Sequence, residues 1–254
     1  MWTSYVINLA PNVERMHNSA RQLEAHELPY QRIDAVNGWE LAEDQIAEVY
    51  DARANARRGR YPLVSAEIGC YLSHIEAWRA IAAADEPGGF VFEDDFAAND
   101  TLRPLLEALV ADAARDWDMV KLFFLDTGPR VHASRPLDRD FRLVVPDKVP
   151  TCQIAYGLTR GAAAHLAARA LPFFRPVDED QKFFWETGLR VALVLPPPIV
   201  VGDQQAETGT IGNARRAAEA GRSRGGQALH GLNYQLRYRA LLRWHRWRKT
   251  GMQR

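Results

Sequence analysis

The stretch GGFVFEDDF, residues 88–96, constrains the fold of this 254-residue chain more than any other segment. Two glycines precede a short apolar run, and this pattern predicts a buried strand that begins where any preceding helix has ended. Three acids, Glu93, Asp94 and Asp95, follow the apolar run at once. A hydrophobic strand that ends in carboxylates brings negative charge to the rim of a sheet, where open α/β folds bind ligands.

Two interpretations of this acidic end are open from the residues alone. The three carboxylates repel one another unless positive charge shares their site, and a hard divalent cation with oxygen ligands supplies such charge. The alternative is a solvated acidic turn that binds nothing. The rest of the chain has to decide between a metal site and a surface turn.

The composition indicates a soluble globular protein whose charge is unevenly placed. Apolar residues make up 47% and charged residues 25% of the chain, and the formal net charge is zero. This balance predicts no nucleic-acid partner. Residues 215–254 nevertheless contain eleven basic side chains against one acid, Glu219, for a net charge of +10. The first 214 residues therefore carry −10.

Cysteine usage and the amino terminus predict a cytoplasmic location. Cys70 and Cys152 stand alone, without a CxxC pair, so a reducing compartment is the simpler assumption. The opening MWTSYVINLAPN has no basic leader followed by a long apolar core, which predicts that there is no signal peptide. No apolar run approaches the ~18 residues of a membrane span.

Strands and helices are expected to alternate along most of the chain. A strand at residues 5–9, a helix at 13–26 and a strand at 30–35 form a βαβ unit, which implies a parallel sheet with a right-handed crossover. Further helices are predicted at 41–58, from 65 to before Pro87, at 101–115 and at 161–170. Further strands are predicted at 119–125, 154–158 and 191–195, with an irregular excursion at 126–150 and a polar loop at 202–212.

A terminal helix is predicted at residues 229–249, and the residues alone leave two alternatives for the surface that its apolar side chains contact. Apolar side chains recur along it at helical spacing with arginines around them: Leu232, Leu236, Ala240, Trp244 and Trp247. A basic helix with tryptophans can lie on an anionic bilayer, which would attach the protein to the inner face of the membrane. Alternatively, the same stripe packs against the acidic body of its own chain.

Seven segments in fixed order resemble glycosyltransferase family 25, which includes bacterial lipooligosaccharide glycosyltransferases and the collagen hydroxylysine galactosyltransferases. The segments are YVINL, IDAVNG, SAEIGCYLSH, FVFEDD, DWDMV, IAYGLTRGAAAHL and PVDE. The resemblance covers roughly residues 4–213. Its most specific blocks are residues 67–74 and 91–95.

The resemblance implies an α/β, Rossmann-like GT-A fold with a mostly parallel central sheet. It implies a catalytic domain at residues 1–214, followed by a basic linker and C-terminal helix at 215–254. The expected activity is metal-dependent, inverting transfer of a hexose, usually galactose, from a UDP-sugar to a glycan acceptor such as lipooligosaccharide or lipopolysaccharide. Two rivals are a non-catalytic carbohydrate- or partner-binding member and a metal-dependent phosphohydrolase.

The resemblance also implies roles for individual residues. Asp95, with Glu93, is expected to hold Mn²⁺ or Mg²⁺, and the two would face the same side if the strand stayed extended. Asp178 of PVDE is the first candidate for the general base and Glu179 the second. Residues expected to bind the nucleotide-sugar donor are Asn8, Leu9, Arg15, Ala35, Asn37, Gly38, Ser73, His74, Asp94, Asp203 and Gln204.

Several of these roles have simpler alternatives. The acids of PVDE also suit the first turn of a helix, where they favour its dipole. Arg15 can be a helix-surface charge, and His74 can be structural. Asn37 departs from the family, which usually has aspartate there, and the AETGTIG loop at 206–212 departs from the usual serine-containing version.

Overall fold

The computed structural model of the chain describes residues 1–125, 128–201, 212, 215 and 224–251. The strands are β1 (Ser4–Asn8), β2 (Tyr30–Asp34), β3 (Gly88–Glu93), β4 (Phe96–Ala98), β5 (Met119–Lys121), β6 (Val131–Pro136), β7 (Arg142–Pro146), β8 (Ala155–Thr159), β9 (Val191–Leu195) and β10 (Ile199–Val201). The helices are α1 (Val13–Ala25), α2 (Glu43–Val49), α3 (Ala52–Arg58), α4 (Ser65–Ala83), α5 (Leu102–Ala111), α6 (Arg160–Arg169), α7 (Val177–Asp180), α8 (Phe184–Thr187) and α9 (Arg224–Gly251). A 3₁₀ turn, Gln181–Phe183, joins α7 to α8.

The described chain forms an α/β fold around one eight-stranded sheet with the order β2-β1-β3-β8-β5-β9-β7-β6. Strands β8 and β7 run against the other six, so the predicted, mostly parallel sheet is confirmed in strand direction. The βαβ unit predicted at the amino terminus is confirmed, because β1 and β2 pair in parallel. A second, two-stranded sheet joins β4 to β10.

Alternating side chains of the central strands fill two cores, one on each face of the sheet. In β1, Val6 packs into one core, while Tyr5 and Ile7 pack into the other. In β3, Phe90 points to the first core and Val91 to the second. This period of two lets short strands be buried on both faces. Helices α1 and α5 contribute to the first core, and α4 and α6 to the second.

The order of the first three strands creates a crevice beside β1. The chain leaves β1 through α1, which covers one face, and pairs β2 on one side. It then returns through α4, which covers the other face, and pairs β3 on the opposite side. Such a switch point opens a crevice at the carboxyl ends of the strands. The acidic end of β3 lies at this edge of the sheet.

Two local predictions are wrong because distant segments intervene. The helix predicted at 41–58 is broken, since Tyr50 bridges to Phe173 and the Asp51 N–H donates to the Phe173 carbonyl at 2.8 Å. The Asp51 side chain then accepts the Ala54 N–H at 2.8 Å and caps α3. The region 126–150 contains the hairpin of β6 and β7, because β7 finds β9 as its neighbour.

The last helix packs on the body through a different stripe from the predicted one. Tyr234, Tyr238 and Leu242 are buried in a cluster with Phe183. The predicted stripe is wrong as a packing face, because Leu232, Leu236 and Trp244 are more than half exposed. None of the described helices is long and apolar enough to cross a membrane. The domain boundary between residues 214 and 215 stays a prediction.

We expect Gly38→Ala to destabilise the fold. A Cβ at this position would lie 1.8 Å from the Ser65 carbonyl oxygen and 2.6 Å from its carbon, so backbone has to move. Overpacking of this kind costs roughly 1–3 kcal/mol, which lowers Tm by several degrees in a thermal unfolding experiment. Gly161→Ala in α6 is the matched control, because its Cβ would meet nothing within 4 Å. Equal Tm values for Gly38→Ala and the wild type would contradict this close contact.

Candidate active site

A cleft of about 540 Å³ lies at the carboxyl ends of β1, β2 and β3. Its volume is in the range of small-molecule sites. Residues that line it and belong to the predicted site are Leu9, Arg15, Ala35, Asn37, Gly38, Ser73, His74, Glu93, Asp94 and Asp95. The topology thus brings Leu9 and Asp95, which are 86 positions apart in sequence, into the wall of one cleft.

All three acids of the EDD segment line the cleft, although not by the expected route. Strand β3 ends at Glu93, and Asp94 and Asp95 form a turn before β4. The extended geometry that would place Glu93 and Asp95 on one side of the strand therefore does not continue beyond Glu93. The turn directs the three carboxylates to the same cavity.

Arg15 and Asn8 bind the acidic turn. The Arg15 guanidinium contacts Asp94 Oδ1 at 2.7 Å and Asp95 Oδ2 at 3.3 Å. Asn8, the last residue of β1, donates from Nδ2 to Asp94 Oδ2 at 2.6 Å. Burial raises the pKa of Asp94, while Arg15 and the Asn8 bond oppose that shift. Arg15 is thus more than a helix-surface charge, because it neutralises part of the cluster.

Asp95 is the least satisfied of the three acids. It is 8% exposed, and among the described residues no partner reaches its buried Oδ1 atom. Burial, followed by the nearby charge of Glu93, raises its pKa to about 6, and Arg15 opposes the shift. A buried carboxylate oxygen without a donor costs free energy. Its environment therefore favours either a proton or a cation.

The donor set suits a hard cation at Glu93 and Asp95. Mn²⁺ and Mg²⁺ prefer oxygen ligands, and one or two carboxylates with phosphate oxygens suffice. Glu93 also lies in a group with Cys70 and His74, whose ligand atoms are all within 4.8 Å of one another. Burial and nearby carboxylates raise the pKa of the Cys70 thiol well above its usual value, so the thiol stays protonated and suits a hard cation poorly. The unpartnered Asp95 oxygen supports the predicted pair instead.

His74 is buried and oriented by two aromatic side chains. Trp78 Nε1 can only donate, and it donates to the Tyr156 hydroxyl at 2.8 Å. The Tyr156 proton is then available for His74 Nδ1, also at 2.8 Å. This direction leaves the histidine proton on Nε2, which faces Glu93 Oε1 at 3.2 Å. His74 therefore orients Glu93, with Tyr156 and Trp78 behind it.

The loop after β2 is tied to α4. Ser73 Oγ accepts the Val36 N–H at 2.8 Å and donates to the Gly69 carbonyl at 2.7 Å. Gly38 and Gly69 touch across this contact, so neither position has room for a side chain. The Ser73 hydroxyl is thus occupied in holding the loop. That loop presents Trp39, which is 63% exposed, to the cleft.

Asp178 contacts the backbone of residues 150–152, whose carbonyl groups accept hydrogen bonds from the buried side chain of Lys121. Its Oδ2 accepts the Cys152 N–H at 3.1 Å. Lys121 is fully buried and donates to the carbonyls of Pro150 at 2.8 Å, Thr151 at 3.3 Å and Cys152. Burial lowers the pKa of Lys121 to about 8, and the negative charge of Asp178 opposes that shift. The ammonium group thereby fixes the backbone that contacts Asp178.

Glu179 is turned toward the terminal helix. It is 4% exposed and accepts the Tyr234 hydroxyl at 3.1 Å, with Arg60 at 3.9 Å and Lys182 at 4.0 Å. Burial raises its pKa, and Lys182 opposes the shift. The two acids of PVDE thus have different surroundings: Asp178 contacts the segment that precedes β8, and Glu179 contacts α9.

The predicted residues outside the cleft lining fall into three groups. Asn8 does not line the cleft, but it donates a hydrogen bond to Asp94, which does. Within the described chain, Asp178 and Glu179 do not line the cavity, although the charge of Asp178 acts on Cys70 in its wall. Asp203 and Gln204 lie outside the described residues.

Sequence reasoning missed three contributors that left only weak signals. Lys121 stood out as a cation inside an apolar strand, VKLFF, which is a signal for a buried, paired charge. Trp39 follows an Asn-Gly turn, a position where an exposed aromatic side chain needs an explanation. Tyr156 carried no signal of its own, because its partners come from α4.

We expect Asp95→Asn to stabilise the metal-free protein at pH 8. The folded-state pKa of about 6 lies above the ordinary 3.8, so the folded state holds the proton more tightly. The stability that the Asp95 proton contributes is therefore fully present below the unfolded pKa of 3.8 and is lost as the pH rises through about 6. Urea unfolding in chelator should show a gain of about 1–3 kcal/mol at pH 8 that shrinks at pH 5.

Asp100→Asn is the control for this experiment, because Asp100 is an exposed acid just beyond the cluster. It should shift stability by less than about 0.5 kcal/mol at either pH. An Asp95→Asn variant that is no more stable than the wild type at pH 8 would contradict the raised pKa.

Comparison with known families and proteins finds matches that cover half of the chain or more. The family model for glycosyltransferase family 25 (LPS biosynthesis protein) matches residues 1–128. Procollagen galactosyltransferase 1-A of Xenopus laevis is 29% identical over 184 residues, which is 69% of this chain and 30% of that protein. Inactive glycosyltransferase 25 family member 3 of Homo sapiens is 30% identical over 183 residues, again 69% of this chain and 30% of that protein. The chain thus spans about a third of the length of these relatives.

Two solved structures are similar at low identity. A197 from STIV has a TM-score of 0.40 and 12% identity, covering 80% of this chain and 95% of that chain. Mannose-1-phosphate geranyltransferase from Thermus thermophilus has a TM-score of 0.34 and 15% identity, covering 78% of this chain and 74% of that chain.

Proposed function

This chain belongs to glycosyltransferase family 25, and from that premise we propose that it transfers a hexose from a UDP-sugar to a glycan acceptor with inversion at the sugar carbon. Galactose is the first candidate for the hexose, because relatives at 27–29% identity are procollagen galactosyltransferases. The description of the matching family as an LPS biosynthesis protein favours a lipooligosaccharide or lipopolysaccharide acceptor.

The observation that carries this proposal is the meeting of Glu93, Asp94, Asp95 and Arg15 in one cleft at the switch point of the sheet. A nucleotide sugar brings two phosphates, and a cleft at the carboxyl ends of parallel strands is where α/β folds receive them. The unpartnered oxygen of Asp95 supplies a place for the accompanying cation.

On the donor side, the residues of the cleft bind and orient the nucleotide. Glu93 and Asp95 would hold Mn²⁺ or Mg²⁺, which as a Lewis acid stabilises the negative charge that develops on a departing diphosphate. Arg15 adds positive charge at the same place. The loop that bears Gly38 and Trp39 offers backbone and an aromatic face to the uridine.

On the acceptor side, Asp178 is the proposed general base. The Cys152 N–H holds one of its oxygens at 3.1 Å, so the carboxylate has a defined direction. From there it would take the proton of the acceptor hydroxyl as the new glycosidic bond forms. Glu179 is the poorer candidate, because Tyr234 and two cations surround it.

Location and partners follow from the same proposal. UDP-sugars are the donor, and a glycan or glycolipid is the acceptor. A lipid-linked acceptor would place the enzyme in the cytoplasm, peripheral on the inner face of a membrane and in contact with anionic lipid.

Thermal shift with UDP and Mn²⁺ tests the donor half of the proposal. Ligands that bind the folded state raise Tm, so the wild type should be stabilised more by UDP with Mn²⁺ than by UDP alone. Asp95→Ala and Asp95→Asn should lose the Mn²⁺-dependent part and metal-stimulated transfer. The exposed-acid variant Asp100→Ala should retain both. Full turnover with unchanged Mn²⁺ dependence in either Asp95 variant would remove the metal assignment.

Asp178→Asn tests the acceptor half. Loss of a general base lowers the chemical step by roughly 10²–10⁴-fold, while the UDP and Mn²⁺ thermal shift should be unchanged. Product formation is followed by mass spectrometry with a panel of UDP-sugars and truncated lipooligosaccharide acceptors. Near-normal turnover would move the base to Glu179.

The second candidate function is carbohydrate or partner binding without catalysis. It is favoured by one observation, the 30% identity to a human relative named as inactive. A wild-type protein that binds UDP with Mn²⁺ but forms no product with any donor would support it. Stabilisation by phosphate esters instead of UDP would indicate the phosphohydrolase alternative.

A further inference from the structure

Helix α9 uses one face to pack on the body of the protein. Tyr234, Tyr238 and Leu242 are 4–5% exposed and form a cluster with Phe183. Tyr238 and Trp185 also pack together, with ring centroids 5.9 Å apart. These contacts bury the inner face of the helix against the body. They thereby fix the rotation of the helix about its axis, so that the opposite face is turned away from the body.

The opposite face carries a second apolar stripe. Leu232 and Leu236 are each 57% exposed, and Trp244 is 53% exposed. Each lies two positions from a buried residue, and at about 100° per residue two positions turn the side chain by about 200°. Ala240, also exposed, falls on the same line. The two leucines therefore point away from the body.

The stripe lies among exposed cations. Arg239 and Arg243 are exposed along one border and Arg237 along the other. The helix sequence contains six arginines and one lysine and no acidic residue. A narrow apolar line with basic borders has the composition of helices that lie in a membrane interface.

We infer that the outward face of α9 binds an anionic lipid bilayer, with Leu232 and Leu236 in the boundary of the acyl chains. Phospholipid headgroups meet the arginines while the hydrocarbon receives the apolar line. A second copy of the chain fits less well, because it would bring two helices of like charge together. A nucleic acid would pair with the arginines but leave the leucines in water.

This surface has a consequence for the acceptor side of the cleft. Through Tyr234 the helix contacts Glu179, the neighbour of Asp178. A bilayer on the outer face therefore lies about one helix diameter, ~10 Å, from that segment. Lipid binding goes beyond the transfer reaction, and it holds whether or not the cleft binds a UDP-sugar.

Vesicle flotation of the full chain tests the inference. The wild type should float with vesicles of equal phosphatidylglycerol and phosphatidylcholine, and far less with phosphatidylcholine alone. The double variant Leu232→Ser/Leu236→Ser should lower the bound fraction by about tenfold or more. Arg239→Gln/Arg243→Gln should do the same and weaken the dependence on salt, because each arginine near the surface strengthens binding several-fold.

Leu125→Ser/Leu171→Ser is the matched control, because it removes two other exposed leucines, 67% and 41% exposed, from the body. It should float like the wild type. Circular dichroism and Tm confirm that each variant is folded. A wild type that stays unbound with both vesicles, or a Leu232/Leu236 variant that floats normally, overturns the inference. So does a wild-type dimer in size-exclusion chromatography that the same variant makes monomeric.

Discussion

The pairing of Arg15 with Asp94 and Asp95 is the interaction on which the cleft depends. Three carboxylates follow a fully buried strand, and their mutual repulsion would drive them apart into solvent without a counter-charge. Arg15 comes from α1, which the crossover between β1 and β2 lays on the adjacent face. Asn8 completes the arrangement from the end of β1. Asp95 is left partly uncompensated, which is the property that a cation site requires.

The two sides of the site are built differently. Around the donor cleft, Ser73 ties the loop after β2 to α4, and the chain of Trp78, Tyr156 and His74 ends on Glu93. Such buried networks keep side chains oriented before any ligand arrives. Around Asp178, orientation comes from a buried lysine that gathers three carbonyls. Since the next residue contacts α9, the acceptor side is joined to the surface proposed to meet lipid.

Local patterns predicted the elements of the fold well where neighbouring residues decide them. The run before the three acids, the βαβ unit and the helix from Ser65 all follow from apolar spacing and from glycine or proline at the borders. The break in the helix predicted at 41–58 could not be predicted in this way. The Asp51 N–H donates to the carbonyl of Phe173, which is more than 120 residues away in sequence. The hairpin of β6 and β7 could not be predicted for the same reason, because β7 pairs with β9, a strand that is distant in sequence.

The sequence by itself determined that acids end a buried strand, that residues 229–249 combine helical apolar spacing with basic charge, and which family the segments resemble. These features reside in residue type and short spacing, which a linear chain already displays. Only the tertiary structure decided that Arg15 holds the acids, that Ser73 and His74 bind protein groups, and that the leucine stripe of α9 faces outward. Each of these depends on which distant group occupies a hydrogen bond or a packing face, and the sheet order settles that choice.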